Sequence, residues 1–143
     1  MTADEQFMMA AIEEAKKGKG PKRFGAVVVK SGKIISGAYS TTDEESDGTR
    51  HAEIKAISNA CKVLGMKHLP DCTLYSTCEP CMMCTGAALW EKVRRIVYGM
   101  SREDALEYFE HSNHWHKNIR ELVPADCEVI SGVLKDECIS LLG

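Results

Sequence analysis

Thr77-Cys78-Glu79-Pro80-Cys81-Met82-Met83-Cys84 is the stretch around which the chain is organised. A strand-like run, Cys72-Thr73-Leu74-Tyr75-Ser76, leads into it, and a helix-like run from Met82 to Lys92 leads out. Pro80 suits the first position of that helix, where a missing N–H costs nothing. Cys81 and Cys84 are three apart and then share one face of the first turn. The partial positive charge of a helix N-terminus favours thiolate over thiol, and thiolate is what a metal needs. The stretch reads as half of a metal site, with two ligands.

Other chemistries use similar residues. Cys-x-x-Cys alone also serves as a redox pair in a thioredoxin-like setting. Cys78, Cys81 and Cys84 together resemble the start of an iron–sulfur run, but that run needs a fourth cysteine a few residues on, and the next here is Cys127. A structural zinc ribbon needs a second Cys-x-x-Cys, and the chain has none.

The 143 residues suffice for one domain with a real core, and 1–143 is read as a single domain. Hydrophobic residues make up 44% and charged residues 27%, as in soluble globular proteins. The formal charge of −3 offers no general basic surface for nucleic acid. No apolar run is long enough to span a bilayer. The acidic start, Met1-Thr2-Ala3-Asp4-Glu5-Gln6, is unlike a signal peptide, and seven cysteines, an odd count, point to free thiols in a reducing cytoplasm. Cys61, Cys72, Cys127 and Cys138 sit in apolar patterns and read as buried small hydrophobes.

From the N-terminus, Glu5 to Lys17 is expected as an amphipathic helix, with Phe7, Met8, Ala11, Ile12 and Ala15 facing a core. Phe24 to Lys30 reads as a buried strand, Ser31-Gly32 as a hairpin turn and Lys33 to Tyr39 as the returning strand. Ser40 to Thr49 is expected as a polar, solvated loop. Thr49-Arg50-His51-Ala52-Glu53 opens a helix that runs to about Leu64 and stops at Gly65. Arg94 to Gly99 supplies a fourth strand. Ser101 and Asp104 form a capping box for a short helix. A short helix (Asn118 to Leu122), a strand (Cys127 to Ile130) and a last helix (Leu134 to Leu141) complete the chain. The expected fold is α/β: a three-layer α/β/α sandwich around a central five-stranded mixed sheet.

His51-Ala52-Glu53 supplies the second half of the site. Three protein ligands plus one open position is the pattern of catalytic zinc, and His51, Cys81 and Cys84 make three. One helix and one strand separate His51 from Cys81, enough chain for a crossover that sets the two helices side by side. Glu53 lies near His51 without having to bind metal, and can take a proton from a water and pass it to a leaving nitrogen. Each half alone has a bland reading, because a Glu in a first helical turn usually just complements the dipole. Together, His-x-Glu and Pro-Cys-x-x-Cys make the signature of zinc deaminases.

On these motifs the chain resembles the cytidine deaminase-like superfamily, particularly small bacterial guanine deaminases, yeast-type cytosine deaminase and tRNA adenosine deaminases. The resemblance runs from about Phe7 to Gly99 and is densest in Phe24–Lys30, His51–Ile54 and Leu74–Ala87. It implies one zinc per chain on His51, Cys81 and Cys84, with Glu53 as proton shuttle. It further implies a substrate pocket lined by Phe24, the backbone of Ala52 and the carbonyl of Glu79, and a homodimer or larger assembly. The chain departs from the pattern where a base-binding asparagine usually stands, eleven residues before the zinc histidine: here that residue is Ser40. The usual Asp-Pro-Thr appears as Asp47-Gly48-Thr49, and Ser112, beside His111, falls where guanine deaminases place a functional aspartate. His111, His114, Trp115 and His116 follow the fourth strand, where related enzymes close over the base, and the segment reads equally as a solvated loop with one buried Trp or as imidazoles that hydrogen-bond the base with Trp115 stacked on it.

The expected activity is hydrolytic deamination of a free nucleobase or close analogue, a cytosine-, isocytosine- or guanine-like ring, with loss of ammonia. The rival within the same chemistry is tRNA adenosine deamination, which needs a basic groove, and only Lys16 to Arg23 offers a local patch. A non-catalytic zinc module would have no need of Glu53.

Overall fold

The computed structural model of the chain describes residues 1–105 and 117–143. The elements in order are α1 (Ala3–Ala15), β1 (Gly25–Lys30), β2 (Lys33–Tyr39), a short α2 (Thr42–Glu45), α3 (Ala52–Leu64), β3 (Cys72–Cys78), α4 (Met82–Trp90), β4 (Arg95–Met100), α5 (Ile119–Leu122), β5 (Glu128–Ile130) and α6 (Lys135–Ile139). The strands form one mixed sheet in the order β2-β1-β3-β4-β5. β1 is antiparallel to both β2 and β3, whereas β3, β4 and β5 run parallel.

The layering follows from the two-residue period of the strands. On one face Ala26, Val28, Leu74 and Ile96 pack against Ala52, Ala56, Ile57 and Ala60 of α3 and Ala88 of α4. On the other, Val27, Val29, Tyr75 and Val97 pack against Met8, Ala11 and Ile12 of α1 and Cys138 of α6. Gly25 lets α1 approach β1 this closely, since a Cβ there would collide with the backbone of Ala11 and Ala15. A polar clasp from α1 to β3 and β4 adds to this. Arg95 Nη2 donates to Asp4 Oδ2 at 2.8 Å, and Tyr75 Oη donates to Asp4 Oδ1 at 2.6 Å. The expected three-layer sandwich is the observed one.

Four local expectations are corrected. Pro80 is not the first residue of α4: Cys81 is its N-cap and the helix begins at Met82. β3 continues past Ser76 to Cys78, because parallel pairing with β4 extends as far as Cys78 and Met100. The polar loop after β2 contains a helical turn, Thr42–Glu45, closed by Ser46 in the left-handed region. The final helix is two pieces, α6 and a 3₁₀ turn over Ser140–Leu142. The Ser101–Asp104 box does form: Asp104 N donates to Ser101 Oγ and Ser101 N to Asp104 Oδ2. All seven cysteines are free; Cys72, Cys127 and Cys138 are buried, while Cys61 is half-buried and donates to Glu91 Oε2. Among the described residues no helix is long and apolar enough to cross a membrane.

Candidate zinc site and adjoining cavity

The site lies where two helices begin. His51 is the N-cap of α3 and Cys81 the N-cap of α4, both with extended backbone, and neither side chain caps its own helix. The side chains turn toward each other instead. Cys81 Sγ lies 3.6 Å and Cys84 Sγ 3.4 Å from His51 Nδ1. Thr85 N donates to Cys81 O, and Thr85 Oγ1 to Pro80 O, which sets the turn that aims both sulfurs the same way.

Among the described residues His51, Cys81 and Cys84 are the group of three that can hold a metal ion, with donor atoms all within 4.8 Å of one another. The geometry fits zinc. Zn–S bonds of about 2.3 Å and Zn–N bonds of about 2.0–2.1 Å at tetrahedral angles put sulfur and nitrogen about 3.6 Å apart. The chemistry of the donors agrees. The Cys81 thiol is pulled down to about 3, first by the Cys84 thiol that donates to it and then by His51, despite burial. The hydrogen bond to Cys81 raises His51, against burial and the positive charge of Arg102. Cys78, three residues before Cys81, is different: burial and then Glu53 push its thiol well above the ordinary value, so it is kept as a thiol.

Glu53 sits in the first turn of α3, 6% exposed. Burial pushes its carboxyl up to about 7, with His51 opposing. A carboxyl poised there can both hold and release a proton at neutral pH.

A cavity of about 330 Å³ opens beside these groups. Phe24, Ser40, Ala52 and Glu79, all expected at a substrate pocket, line it together with His51, Glu53 and Cys81. Cys84, fully buried, stands behind the wall. Ser40 is fixed by its N–H, which donates to Phe24 O at 3.1 Å. The rim beside it is tied to α3 by Lys55, whose Nζ donates to Tyr39 O and Thr41 Oγ1, each at 3.0 Å. Glu79 contributes more than its carbonyl: its buried carboxylate accepts from Arg102 N at 3.2 Å and Ile119 N at 2.9 Å. His111, His114, Trp115 and His116 lie outside the described residues.

The cavity also includes Thr42, Cys78 and Arg102, which the sequence did not place at a substrate pocket. A signal for Arg102 was present. It follows β4, parallel to β3, and ligand sites of such sheets gather beyond the carboxyl ends of parallel strands.

His-x-Glu and Pro-Cys-x-x-Cys, now seen to converge on one point, define the class of zinc deaminases. The chain belongs to the family described as the cytidine and deoxycytidylate deaminase zinc-binding region, whose family model matches residues 1–100. It is 38% identical to the tRNA-specific adenosine deaminase of Bacillus subtilis (strain 168) over 149 aligned residues, which cover 99% of this chain and 88% of that one. It is 44% identical to the guanine deaminase of the same organism over 108 residues, covering 72% of this chain and 68% of that one. The solved guanine deaminase of Nitrosomonas europaea superimposes with a TM-score of 0.83 at 28% identity, covering 99% of this chain and 84% of that one. The chain is thus a zinc-binding enzyme of the deaminase kind, a hydrolase of C–N bonds.

Proposed function

We propose that the chain deaminates a free nucleobase or close analogue, replacing an exocyclic amine on a cytosine-, isocytosine- or guanine-like ring by a carbonyl. The observation that carries this is the charge at the cavity mouth. Thr42 lines the cavity and opens α2, whose other residues, Asp43, Glu44 and Glu45, are all exposed acids, with exposed Asp47 close behind. Phosphates of a polynucleotide approaching that rim meet like charge, which costs affinity. The cavity agrees, since its volume of about 330 Å³ is at the bottom of the range of roughly 300–1,000 Å³ for small-molecule sites.

In this reading His51, Cys81 and Cys84 hold zinc. Zinc so held supplies Lewis-acid polarisation and a water that ionises near neutrality. Glu53 would carry the first proton of the water to the ring nitrogen and then the remaining hydroxyl proton to the departing amine, ending as a carboxylate again. Water oxygen ends as the ring carbonyl, and the amine leaves as ammonia. Phe24 packs on the ring, and the Ala52 N–H, the Glu79 carbonyl and the Ser40 hydroxyl meet its polar edge.

A second reading, adenosine deamination in tRNA, is favoured by the 38% identity to a tRNA-specific enzyme over 99% of the chain. One assay separates the two: ammonia release from cytosine, isocytosine, guanine and adenine, run beside inosine formation in a tRNA anticodon stem-loop. Turnover of a free base without inosine formation supports the first reading. Inosine formation without base turnover replaces it by the second.

Self-association also belongs to this proposal. Trp90 at the end of α4 is 79% exposed, and Met83 and Val63 are exposed as well. Trp90 and Ile57 border one shallow depression between α3 and α4. An exposed Trp beside a depression that Ile54, Ile57 and Ala87 also line suits an interaction surface, and a second copy of the chain is the proposed occupant.

A further inference from the structure

Lys55 is half-buried near the start of α3, one turn past His51, whose carbonyl accepts the Lys55 N–H at 3.1 Å. A cation at this end of a helix works against the helix dipole, so the helix itself gains nothing from a lysine here. The side chain leans back toward the helix start, as helical side chains do. Its Nζ donates to Tyr39 O and to Thr41 Oγ1, each at 3.0 Å. It also lies 5.1 Å from the centre of the Tyr39 ring, within reach of a cation–π contact. Both acceptors are immediate neighbours of Ser40, one on each side.

The same short segment is held from its other side. Ser40 N donates to Phe24 O and Thr41 N to Arg50 O, each at 3.1 Å. The Thr41 hydroxyl, which accepts from Lys55, donates in turn to Glu45 Oε2, and that oxygen also takes Arg50 Nε at 3.4 Å. Within this network Lys55 is the side chain that reaches from the zinc-bearing helix to the end of β2. Its two bonds carry a full charge, which makes them stronger than bonds between neutral groups. A hydroxyl displaced by about 1 Å leaves hydrogen-bond range, so the contact that Ser40 makes depends on how firmly its flanks are held.

We propose that Lys55 is a positioning residue for substrate recognition, acting through Ser40; this rests on the placement of Ser40 at the polar edge of the base in the reading above. Its ammonium sets the distance between the Ser40 hydroxyl and the Ala52 N–H, which begins the helix that carries Lys55. The base is then gripped by two groups whose separation one side chain controls.

The test is a double-mutant cycle in zinc-loaded protein, with Lys55→Met, Ser40→Ala and the double variant, and Lys55→Arg as rescue. kcat and KM are measured on the free base that the wild type deaminates best. Methionine keeps an unbranched stem and the helix propensity while removing the ammonium. In Lys55→Met, KM should rise roughly three- to fivefold, the ceiling being the worth of the Ser40 hydrogen bond. kcat should stay within about twofold, the pattern of a lost binding contact. Lys55→Arg, which keeps a cationic donor, should recover most of that loss. The double variant should fall no more than about twofold below Ser40→Ala, because residues of one network are not additive. Independent effects would multiply instead, to roughly 25-fold. Zinc content and thermal melting of each variant separate a lost contact from a damaged fold, and Lys55→Gln carries the cycle if Lys55→Met does not fold. An unchanged KM, a loss in kcat instead, no recovery with arginine, or a multiplied loss in the double variant each overturns the proposal. If the wild type deaminates the anticodon stem-loop and no free ring, the free-base reading falls, and the same cycle on the stem-loop decides Lys55 by the same criterion. If free rings are turned over and Ser40→Ala matches the wild type, that reading stands and the proposal falls.

Discussion

His51 Nδ1 and Cys81 Sγ, 3.6 Å apart, belong to two residues that each begin a helix and leave it uncapped. An N-cap side chain ordinarily satisfies a free helical N–H, worth about 1 kcal/mol. Here both side chains serve the other helix's partner instead, and the two positive helix ends converge on the thiolate that lies between them.

Zinc content is the first consequence. Cys84→Ala removes a fully buried donor and should lose most of its zinc and all measurable activity, as read by metal analysis of the purified protein. Cys78→Ala should keep its zinc, because burial and Glu53 hold that residue as a thiol. Full zinc retention in Cys84→Ala would remove it from the ligand set.

Glu53→Gln should keep zinc and lose turnover by roughly 100-fold or more, the ordinary effect of a missing proton carrier. Wild-type rates in that protein would place the proton transfer elsewhere.

The same residue shapes stability against pH in chelator-treated protein. Burial raises its carboxyl from 4.5 to about 7, so between those values the folded state holds a proton that the unfolded chain has released. Stability from Glu53 is therefore full below pH 4.5 and lost as pH rises through about 7. The drop is at most about 3 kcal/mol for a shift of this size. Denaturant unfolding at pH 5 and pH 8 should show this drop in the Glu53 protein and a flatter profile in Glu53→Gln.

Glu79→Gln should destabilise by about 1–3 kcal/mol, because one amide oxygen cannot replace two carboxylate oxygens and a buried N–H loses its acceptor. The two N–H groups belong to Arg102 and Ile119, so the side chain joins the end of β4 to the start of α5. Urea unfolding measures the loss, and an unchanged midpoint would mean that water replaces the lost bond.

Ser40 presents one hydroxyl where related enzymes present an amide. Ser40→Ala should weaken kcat/KM for the preferred base by about 1 kcal/mol, the worth of one neutral hydrogen bond. Ser40→Asn should re-rank the bases, since an amide both donates and accepts. The same ranking in both variants would move specificity away from Ser40.

Trp90→Ala should shift the protein toward monomer in sedimentation at low micromolar concentration while its zinc stays bound. Trp90 is 79% exposed in the single chain, and its removal costs the fold little.

Much of this protein was legible along the chain. The two-residue alternation of Ala26-Val27-Val28-Val29 and the 3.6-residue spacing of Ile54, Ile57 and Ala60 are local consequences of backbone geometry, and they dictate layers without knowledge of distant partners. His51-Ala52-Glu53 and Pro80-Cys81-x-x-Cys84 were legible for the same reason, because helix starts and ligand spacings are short-range patterns. Where α4 begins, and how far β3 runs, depended on pairing with β4, which no local pattern contains. Arg102 and the carboxylate role of Glu79 belong to that second kind. They lie 23 residues apart, and only the parallel register of β3 and β4 puts one backbone N–H on the other's buried carboxylate. The sequence by itself marked out the sheet, the helices and the three residues that could hold the metal. The tertiary structure alone decided which further side chains share their cavity, because a cavity wall is made by strand ends that meet in space and not in sequence.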